Sequence, residues 1–226
     1  MPTPVVTIDG PSGSGKGTVS RMLARRIGWH LLDSGALYRL VALAGALAGL
    51  KSDDVAAHAR LAREMQVRFS ADGRDQERIE LDGSDVTAAI RSEAAGAGAS
   101  RVAAWPAVRE ALLHRQRAFA QSPGLVADGR DMGTVVFTDA ALKIFLTASP
   151  EERARRRYNQ LKEKDSGVSL AALSLEIAER DRRDSTRSVA PLVPAADAIV
   201  LDSTAMTALE VVDDVMAVGR TRSLWP

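Results

Sequence analysis

The sequence predicts an α/β fold of three layers, with a central parallel sheet between layers of helices. Short apolar runs alternate along the chain with segments of helical periodicity, as is typical of such folds. Three of these runs lead directly into Gly10, Asp33 and Asp128. Because ligands of such folds bind at the carboxyl ends of the strands, we expect three loops to meet at one binding edge.

The first strand is predicted at residues 5–8, directly before a glycine-rich segment. Apolar residues at helical spacing predict a helix from Lys16 onward, which ends at Gly28 before a second strand at residues 29–32. Residues 40–50 form the longest apolar run, but they fall short of the ~20 residues that a membrane span needs. We expect this run to form a buried helix.

Residues 67–86 show a different pattern, the two-residue alternation of an antiparallel sheet. Apolar and polar side chains alternate at residues 67–70 and 78–81, and Asp-Gly pairs at 72–73 and 82–83 predict turns. We therefore expect a small antiparallel insertion.

Later elements restore the strand and helix alternation. Helical periodicity resumes at about Val86 and again at Pro106, which suits a first helical position. Further strands are predicted at residues 125–127, 143–147 and 197–201. Further helices are predicted from Pro150, near Leu170 and from Leu209.

We expect one domain over residues 1–226. Its predicted parts are a core (1–62, 101–152 and 188–226), an insertion (about 63–100) and a lid with the following helix (about 153–187).

Composition excludes several classes of function. Lys and Arg number 30 against 29 Asp and Glu, so the net charge of +1 gives no global field for nucleic acid or an anionic membrane. Aromatic residues are only 4%, which disfavours a base-stacking nucleic-acid binder. The chain has no cysteine, and its first residues lack the pattern of a signal peptide, so we expect a cytoplasmic protein. The three histidines, His30, His58 and His114, are scattered and are assigned no role.

The glycine-rich segment at residues 10–18 has the sequence GPSGSGKGT and indicates a phosphate-binding loop. Its backbone N–H groups, the start of the following helix and Lys16 together suit the phosphates of a nucleoside triphosphate. The residues predicted to hold this ligand are Gly10, Pro11, Ser12, Gly13, Ser14, Gly15, Lys16, Gly17 and Thr18. The strict motif has Ser or Thr directly after the lysine, so whether Thr18 contacts Mg²⁺ stays open.

Two further loops follow predicted strands at the same edge. Asp128 is placed to hold Mg²⁺ or its waters, although an aspartate before glycine also serves as a turn residue. Arg39 and Arg130 are placed to hold a second phosphate group, since the guanidinium fork matches phosphate oxygens, but either is also compatible with a solvated surface position.

Arginines recur in two later segments. Arg180, Asp184 and Arg187 would line up on one helix, either as an ion-pair ladder or as contacts to phosphate and ribose. The second segment precedes residues 162–167 and indicates a mobile lid, which would exclude water from the site. Its arginines are Arg153, Arg155, Arg156 and Arg157.

The chain resembles the bacterial cytidylate kinases of the nucleoside monophosphate kinase family, nearly from end to end. The resemblance rests on IDGPSGSGKGT (8–18), LLDSGALYR (31–39), PAVREALL (106–113), ADGRDMGTVVF (127–137), ERDRRDSTRSVAPL (179–192) and LDST (201–204). It implies transfer of the terminal phosphoryl group of ATP to CMP or dCMP, with Mg²⁺. The insertion then belongs to the monophosphate-binding region, and we expect a monomer.

The resemblance also implies roles for individual residues. Cytosine contacts fall on Ser34, Ser100, Arg109 and Asp131, monophosphate contacts on Arg39, Arg130 and Arg187, and ribose contacts on Arg180 and Asp184. The implied catalytic residues are Lys16, Asp128, Arg130 and Arg187, and Arg156 is implied to contact ATP.

Two alternatives share the phosphate loop. A GTPase would carry an Asn-Lys-x-Asp motif, but the only asparagine, Asn159, is followed by Gln160. A kinase for UMP or AMP stays open, because hydrogen bonds in the acceptor pocket decide this choice.

Overall fold

The computed structural model describes residues 3–71, 77–162 and 169–225. The predicted turn at 72–73 and most of the predicted lid segment at 162–167 lie outside the described residues. The described chain forms two compact units, Met1–Asp33 with Arg117–Pro226, and Ser34–Gln116.

The strands, in chain order, are β1 (Val5–Asp9), β2 (His30–Asp33), β3 (Val67–Ala71), β4 (Glu77–Leu81), β5 (Ser84–Asp85), β6 (Leu125–Gly129), β7 (Leu142–Thr147) and β8 (Ile199–Asp202). The helices are α1 (Lys16–Ile27), α2 (Ser34–Leu47), α3 (Val55–Glu64), α4 (Glu93–Val102), α5 (Pro106–Arg117), α6 (Pro150–Lys162), α7 (Leu170–Ser185) and α8 (Ala208–Thr221). None of the helices within the described ranges is long and apolar enough to cross a bilayer.

The first unit contains the central parallel sheet, in the order β2-β6-β1-β7-β8, which confirms the predicted fold class. Strand β1 is buried along its whole length between β6 and β7. Apolar side chains of α1, β1, β6, β7 and α8 form the main core, in which Ile8, Leu23, Ile144 and Val215 are almost fully buried. This core fixes the strand ends, where the predicted loops begin.

The second unit contains α2 to α5 and the antiparallel sheet β3-β4-β5, as the alternating pattern predicted. Asp82 and Gly83 form the tight turn between β4 and β5, both with positive φ. Helices α2 and α4 approach closely, since a Cβ on Gly98 would lie 2.8 Å from the Cβ of Ala42. Small residues along this part of the chain therefore serve helix packing.

Some predicted bounds were wrong. The helix predicted from about Val86 begins later, with a 3₁₀ turn at Ala89–Arg91 and then α4, where the Ser92 hydroxyl accepts a hydrogen bond from the Ala95 N–H. Helix α7 ends at Ser185, so Arg187 lies beyond the predicted helix. No prediction covered α3 or the π-helical turn at Met132–Val136.

The end of α8 packs tightly against Trp225. A Cβ on Gly219 would lie 1.7 Å from the indole ring, and the indole N–H donates to the carbonyl of Met216 at 3.1 Å. Trp225 also meets Trp29 edge to face at 5.7 Å. Gly219 thus leaves the space that the indole fills.

We predict that Gly219→Ala destabilises the protein by about 1–3 kcal/mol, because the added methyl overlaps the indole. In a Trp225→Ala background the same change should instead stabilise by up to about 1 kcal/mol, since alanine is the better helix former. Urea unfolding of the four variants measures both effects. An equal cost in both backgrounds would show that this packing is not the cause.

Candidate active site

Register brings the acidic strand ends of the first unit together. Asp33 on β2 lies opposite Asp128 on β6, and Asp9 on β1 lies opposite Gly129. The glycine-rich loop begins at the next residue, Gly10. The three strand ends therefore lie side by side, as predicted, but helix α2 begins at Ser34 directly after β2 and no loop separates them.

The loop at residues 10–18 curls tightly between β1 and α1. Gly15 has a φ of 90°, which favours glycine, and a Cβ on Gly10 would lie 2.0 Å from the carbonyl oxygen of Leu146. The Lys16 ammonium donates to the carbonyl of Pro11 at 3.0 Å, so the side chain folds back over its own loop. This geometry is typical of a phosphate cradle.

Lys16 is almost fully buried, and burial lowers the pKa of its ammonium to about 7. The positive charges of Arg130 and Arg180 lower this pKa further, while the carboxylates of Asp128 and Asp33 oppose them. An anionic ligand in the loop would favour the charged lysine. The site therefore has the electrostatic character of an anion receptor.

Burial also raises the pKa of Asp128, to about 6. The charge of Lys16 opposes this shift, and the nearby carboxylate of Asp33 adds to it. A Cβ on Gly17 would lie 3.1 Å from Oδ2 of Asp128, closer than most side-chain contacts. Glycine after the lysine therefore makes room for this carboxylate, while Thr18 is exposed.

Asp9 is a buried carboxylate that sequence reasoning missed. Its Oδ1 accepts from the N–H of Met132 at 2.9 Å, and its Oδ2 accepts from the N–H of Gly133 at 2.8 Å. Burial raises the pKa of Asp9 to about 7, although these two N–H groups favour the charged form. The only signal in the sequence was an acidic residue at the end of an apolar strand.

Asp184 joins two arginines in a buried cluster. Its carboxylate lies 3.0 Å from Nε of Arg130 and 3.2 Å from Nη2 of Arg187, and all three side chains are largely buried. Burial opposes the ionisation of Asp184, but the guanidinium groups of Arg130, Arg187 and Arg180 outweigh it and hold the pKa below its usual range. The predicted pair of Asp184 and Arg187 forms, although Arg187 lies past the helix. The pair is buried and is shared with Arg130, which the helical spacing did not predict.

Helix α6 supports the phosphate loop with two of its arginines. Nη1 of Arg153 donates to the carbonyl of Ser12 at 3.1 Å, and Nη1 of Arg156 donates to the carbonyl of Ser14 at the same distance. Arg156 also donates to the Ser203 hydroxyl at 3.1 Å. These contacts brace the loop. Arg153 was predicted as a lid residue and not as a support of the loop, and Ser203 was assigned no role.

A cleft of about 370 Å³ lies beside this brace in the first unit. Its lining includes Gly15 and Thr18 of the loop, Arg157 and Gln160 of α6, and Thr207 before α8. Its position next to the phosphate loop suits the nucleoside part of a nucleotide bound there.

In the second unit, side chains of α2 and α5 meet. Ser34 accepts a hydrogen bond from the Gln116 amide at 2.9 Å, and the Arg109 guanidinium lies 5.7 Å from the centre of the Tyr38 ring. The buried Ser100 hydroxyl has no hydrogen-bond partner among the described residues.

Arg39 is directed elsewhere in that unit and donates to the carbonyl of Ile90 at 2.8 Å. Gln116 is another residue that sequence reasoning missed, because a glutamine on an amphipathic helix gives no signal of its own.

A family described as cytidylate kinase matches residues 6–221 of the chain. The chain belongs to the cytidylate kinase family. It is 62% identical to the cytidylate kinase of Pseudomonas aeruginosa (strain LESB58) over 214 residues, which covers 94% of this chain and 93% of that relative. It is 58% identical to the cytidylate kinase of Marinomonas sp. (strain MWYL1), covering 95% of this chain and 94% of that relative.

In this member of the cytidylate kinase family, the predicted site residues are divided between the two units. The first unit holds the loop residues 10–18 with Asp128, Arg130, Asp131, Arg156, Arg180, Asp184 and Arg187, and the second holds Ser34, Arg39, Ser100 and Arg109. The roles implied for these residues by the resemblance stay predictions.

We predict that Asp184→Asn lowers the free energy of unfolding at pH 7 by about 3 kcal/mol, because it leaves two buried guanidinium groups without their counter-charge. The depressed pKa of Asp184 means that this stabilisation is present above the ordinary aspartate pKa and is lost as the pH falls through the depressed value. Denaturant titration at several pH values measures it.

Glu179→Gln is the matched control on the same helix. Glu179 also pairs with two arginines, Arg182 and Arg183, but its side chain is 46% exposed against 5% for Asp184. We expect this variant to cost less than about 1 kcal/mol. Similar costs for the two variants would contradict the importance of burial.

Proposed function

We propose that this protein transfers the terminal phosphoryl group of ATP to CMP or dCMP, which yields ADP and CDP or dCDP. One observation carries the proposal beyond family membership. Lys16 of the phosphate loop lies within electrostatic reach of both Asp128 and the arginines Arg130 and Arg180. Groups suited to a donor phosphate and to an acceptor phosphate therefore share one sheet edge.

ATP would bind with its phosphates in the loop at residues 10–18. The N–H groups of the loop, the start of α1 and the Lys16 ammonium would offset the negative charge of the phosphates. The nucleoside would occupy the adjoining cleft, and the brace formed by Arg156 would hold the loop in shape beneath it.

Mg²⁺ is implied by this reaction, and the donors present fit it. The described residues contain no group of three or more His, Cys, Asp or Glu side chains that would enclose a metal. Mg²⁺ keeps several waters and takes one or two carboxylates together with phosphate oxygens. The carboxylate of Asp128, beside Gly17 of the phosphate loop, is such a ligand. Asp128 would hold the ion through water, with Thr18 as a second candidate. When bound, the ion supplies charge neutralisation at the phosphates.

CMP would bind through its phosphate to the arginines that Asp184 holds in place. A phosphate monoester carries about −1.5 to −2 charges, so Arg130 and Arg187 suit it. The role of Arg39 stays a prediction of the family resemblance. Arg180 and Asp184 would contact the ribose. Preformed ion pairs fix the guanidinium groups before the ligand arrives.

Each unit contains candidates for recognition of the base. The second unit has three buried side chains that can form hydrogen bonds. They are Arg109, which lies over the Tyr38 ring, Ser34, which accepts from Gln116, and Ser100, whose hydroxyl has no partner among the described residues. Asp131, at 2% exposure, is the candidate of the first unit. Buried groups of this kind reject a base that cannot satisfy them.

Positioning and charge stabilisation would supply most of the catalysis. Phosphoryl transfer has a loose transition state whose charge spreads over the equatorial oxygens, so no protein nucleophile is required. Lys16 would face that charge together with Arg130 and Arg187. The lid implied by the sequence would keep water from competing as the acceptor.

We also propose a cytoplasmic monomer that binds neither nucleic acid nor membrane. The balanced charge and the absence of cysteine support this proposal.

We predict formation of CDP from CMP, with dCMP also accepted and UMP and AMP used at least about 100-fold less efficiently. A coupled assay of ADP formation across the four acceptors measures kcat/KM for each. The alternative, an enzyme for UMP or AMP, predicts a different order. Equal rates with UMP would contradict the assigned base contacts.

We predict that Lys16→Met lowers kcat by about 100-fold or more, because it removes a buried cation that faces the transferring group. The control is Lys51→Met, which changes an exposed lysine of the second unit. Activity of Lys16→Met within a few-fold of the unmodified protein would assign this role to another cation.

A further inference from the structure

The π-helical turn at Met132–Val136 starts directly after Asp131, and its first N–H groups need acceptors. Aspartate at such a position usually supplies one from its own side chain. Here Asp131 makes no such hydrogen bond. The acceptors come instead from Asp9 at the end of β1, more than 120 residues earlier in the chain.

The contact between Asp9 and the turn is bidentate and buried. One carboxylate oxygen takes the N–H of Met132 and the other takes the N–H of Gly133, at 2.9 and 2.8 Å. Asp9 is 5% exposed and Met132 is fully buried. Two charge-assisted hydrogen bonds from one rigid group leave the start of the turn little freedom to shift.

The same turn also packs closely against β1. A Cβ on Gly133 would lie 2.9 Å from Oγ1 of Thr7 and 3.1 Å from Cδ of Lys143. Gly133 therefore lets the turn approach close enough for its N–H to reach Asp9. Packing and hydrogen bonding act at the same place.

We propose that Asp9 is a positioning residue for acceptor-base recognition: by capping the turn in place of Asp131, it fixes the backbone that presents the Asp131 carboxylate to cytosine. This inference rests on the proposed function, in which Asp131 contacts the base. Asp9 would act through the backbone of the turn and not by contact with the nucleotide. The strand that ends at Asp9 continues into the phosphate loop, so one strand end would serve both ligands.

Two variants test the proposal by different routes. Asp9→Asn keeps the size of the side chain but places an amide N–H against one backbone N–H. Gly133→Ala keeps the carboxylate and its charge but pushes the turn away from Thr7. The control is Gly219→Ala, which strains the same unit at α8, away from the turn.

Binding of CMP is measured by calorimetry without ATP, and KM is measured for CMP, UMP and ATP. Both test variants should raise the Kd and KM for CMP about tenfold and reduce the preference for CMP over UMP, because the base contact is misplaced. The KM for ATP should stay within about twofold. The control should lower Tm and leave the nucleotide constants unchanged.

Several outcomes overturn the proposal. Equal weakening of CMP and ATP, or a lower Tm with unchanged constants, would make the role of Asp9 purely structural. An effect of Asp9→Asn without one of Gly133→Ala would assign it to charge rather than position. If Asp9→Asn does not fold, Gly133→Ala alone decides. An unmodified protein that neither binds nor phosphorylates CMP would overturn the proposed function itself.

Discussion

Burial of unlike charges at one sheet edge is the constraint on which the rest of the site depends. Lys16 and Asp128 both lie out of water, and burial shifts the pKa of each toward its neutral form. The positive charge of Arg130 lowers the pKa of Lys16 further, and the negative charge of Asp33 raises the pKa of Asp128 further. A polyphosphate with its cation would favour the ionised form of both groups, because the phosphates would stabilise the Lys16 ammonium and the cation would stabilise the Asp128 carboxylate.

Two arginines of the candidate site are held in place by a buried carboxylate. Asp184 neutralises part of the charge of Arg130 and Arg187, and it also restricts their rotamers. Pre-organisation of this kind lowers the entropy cost of holding a phosphate. The cost is that a ligand must share these guanidinium groups with a carboxylate, which favours a strongly charged phosphate over weaker anions.

The fold class and most strands followed from the sequence because buried parallel strands and glycine-rich turns are local patterns. The tight loop at residues 10–18, the position of Asp128 at a strand end and the pair of Asp184 and Arg187 were likewise predictable from motif and spacing. The contact between Asp184 and Arg130 was not, because it joins distant parts of the chain. Asp9 and Gln116 were not, since their importance arises from partners more than 80 residues away. The end of α7 before Arg187 was missed because ion-pair spacing continues past the point where the backbone leaves the helix.

The bracing arginines of α6 have a mechanical consequence. Arg153 donates a hydrogen bond to the carbonyl of Ser12 and forms an ion pair with Asp181 of α7 at 2.7 Å. Arg156 donates a hydrogen bond to the carbonyl of Ser14. If α6 rotates, it must either move these carbonyls with it or break the hydrogen bonds from its two arginines. A displacement of α6 and a change in the backbone of the phosphate loop are therefore mechanically linked, through the carbonyls of Ser12 and Ser14.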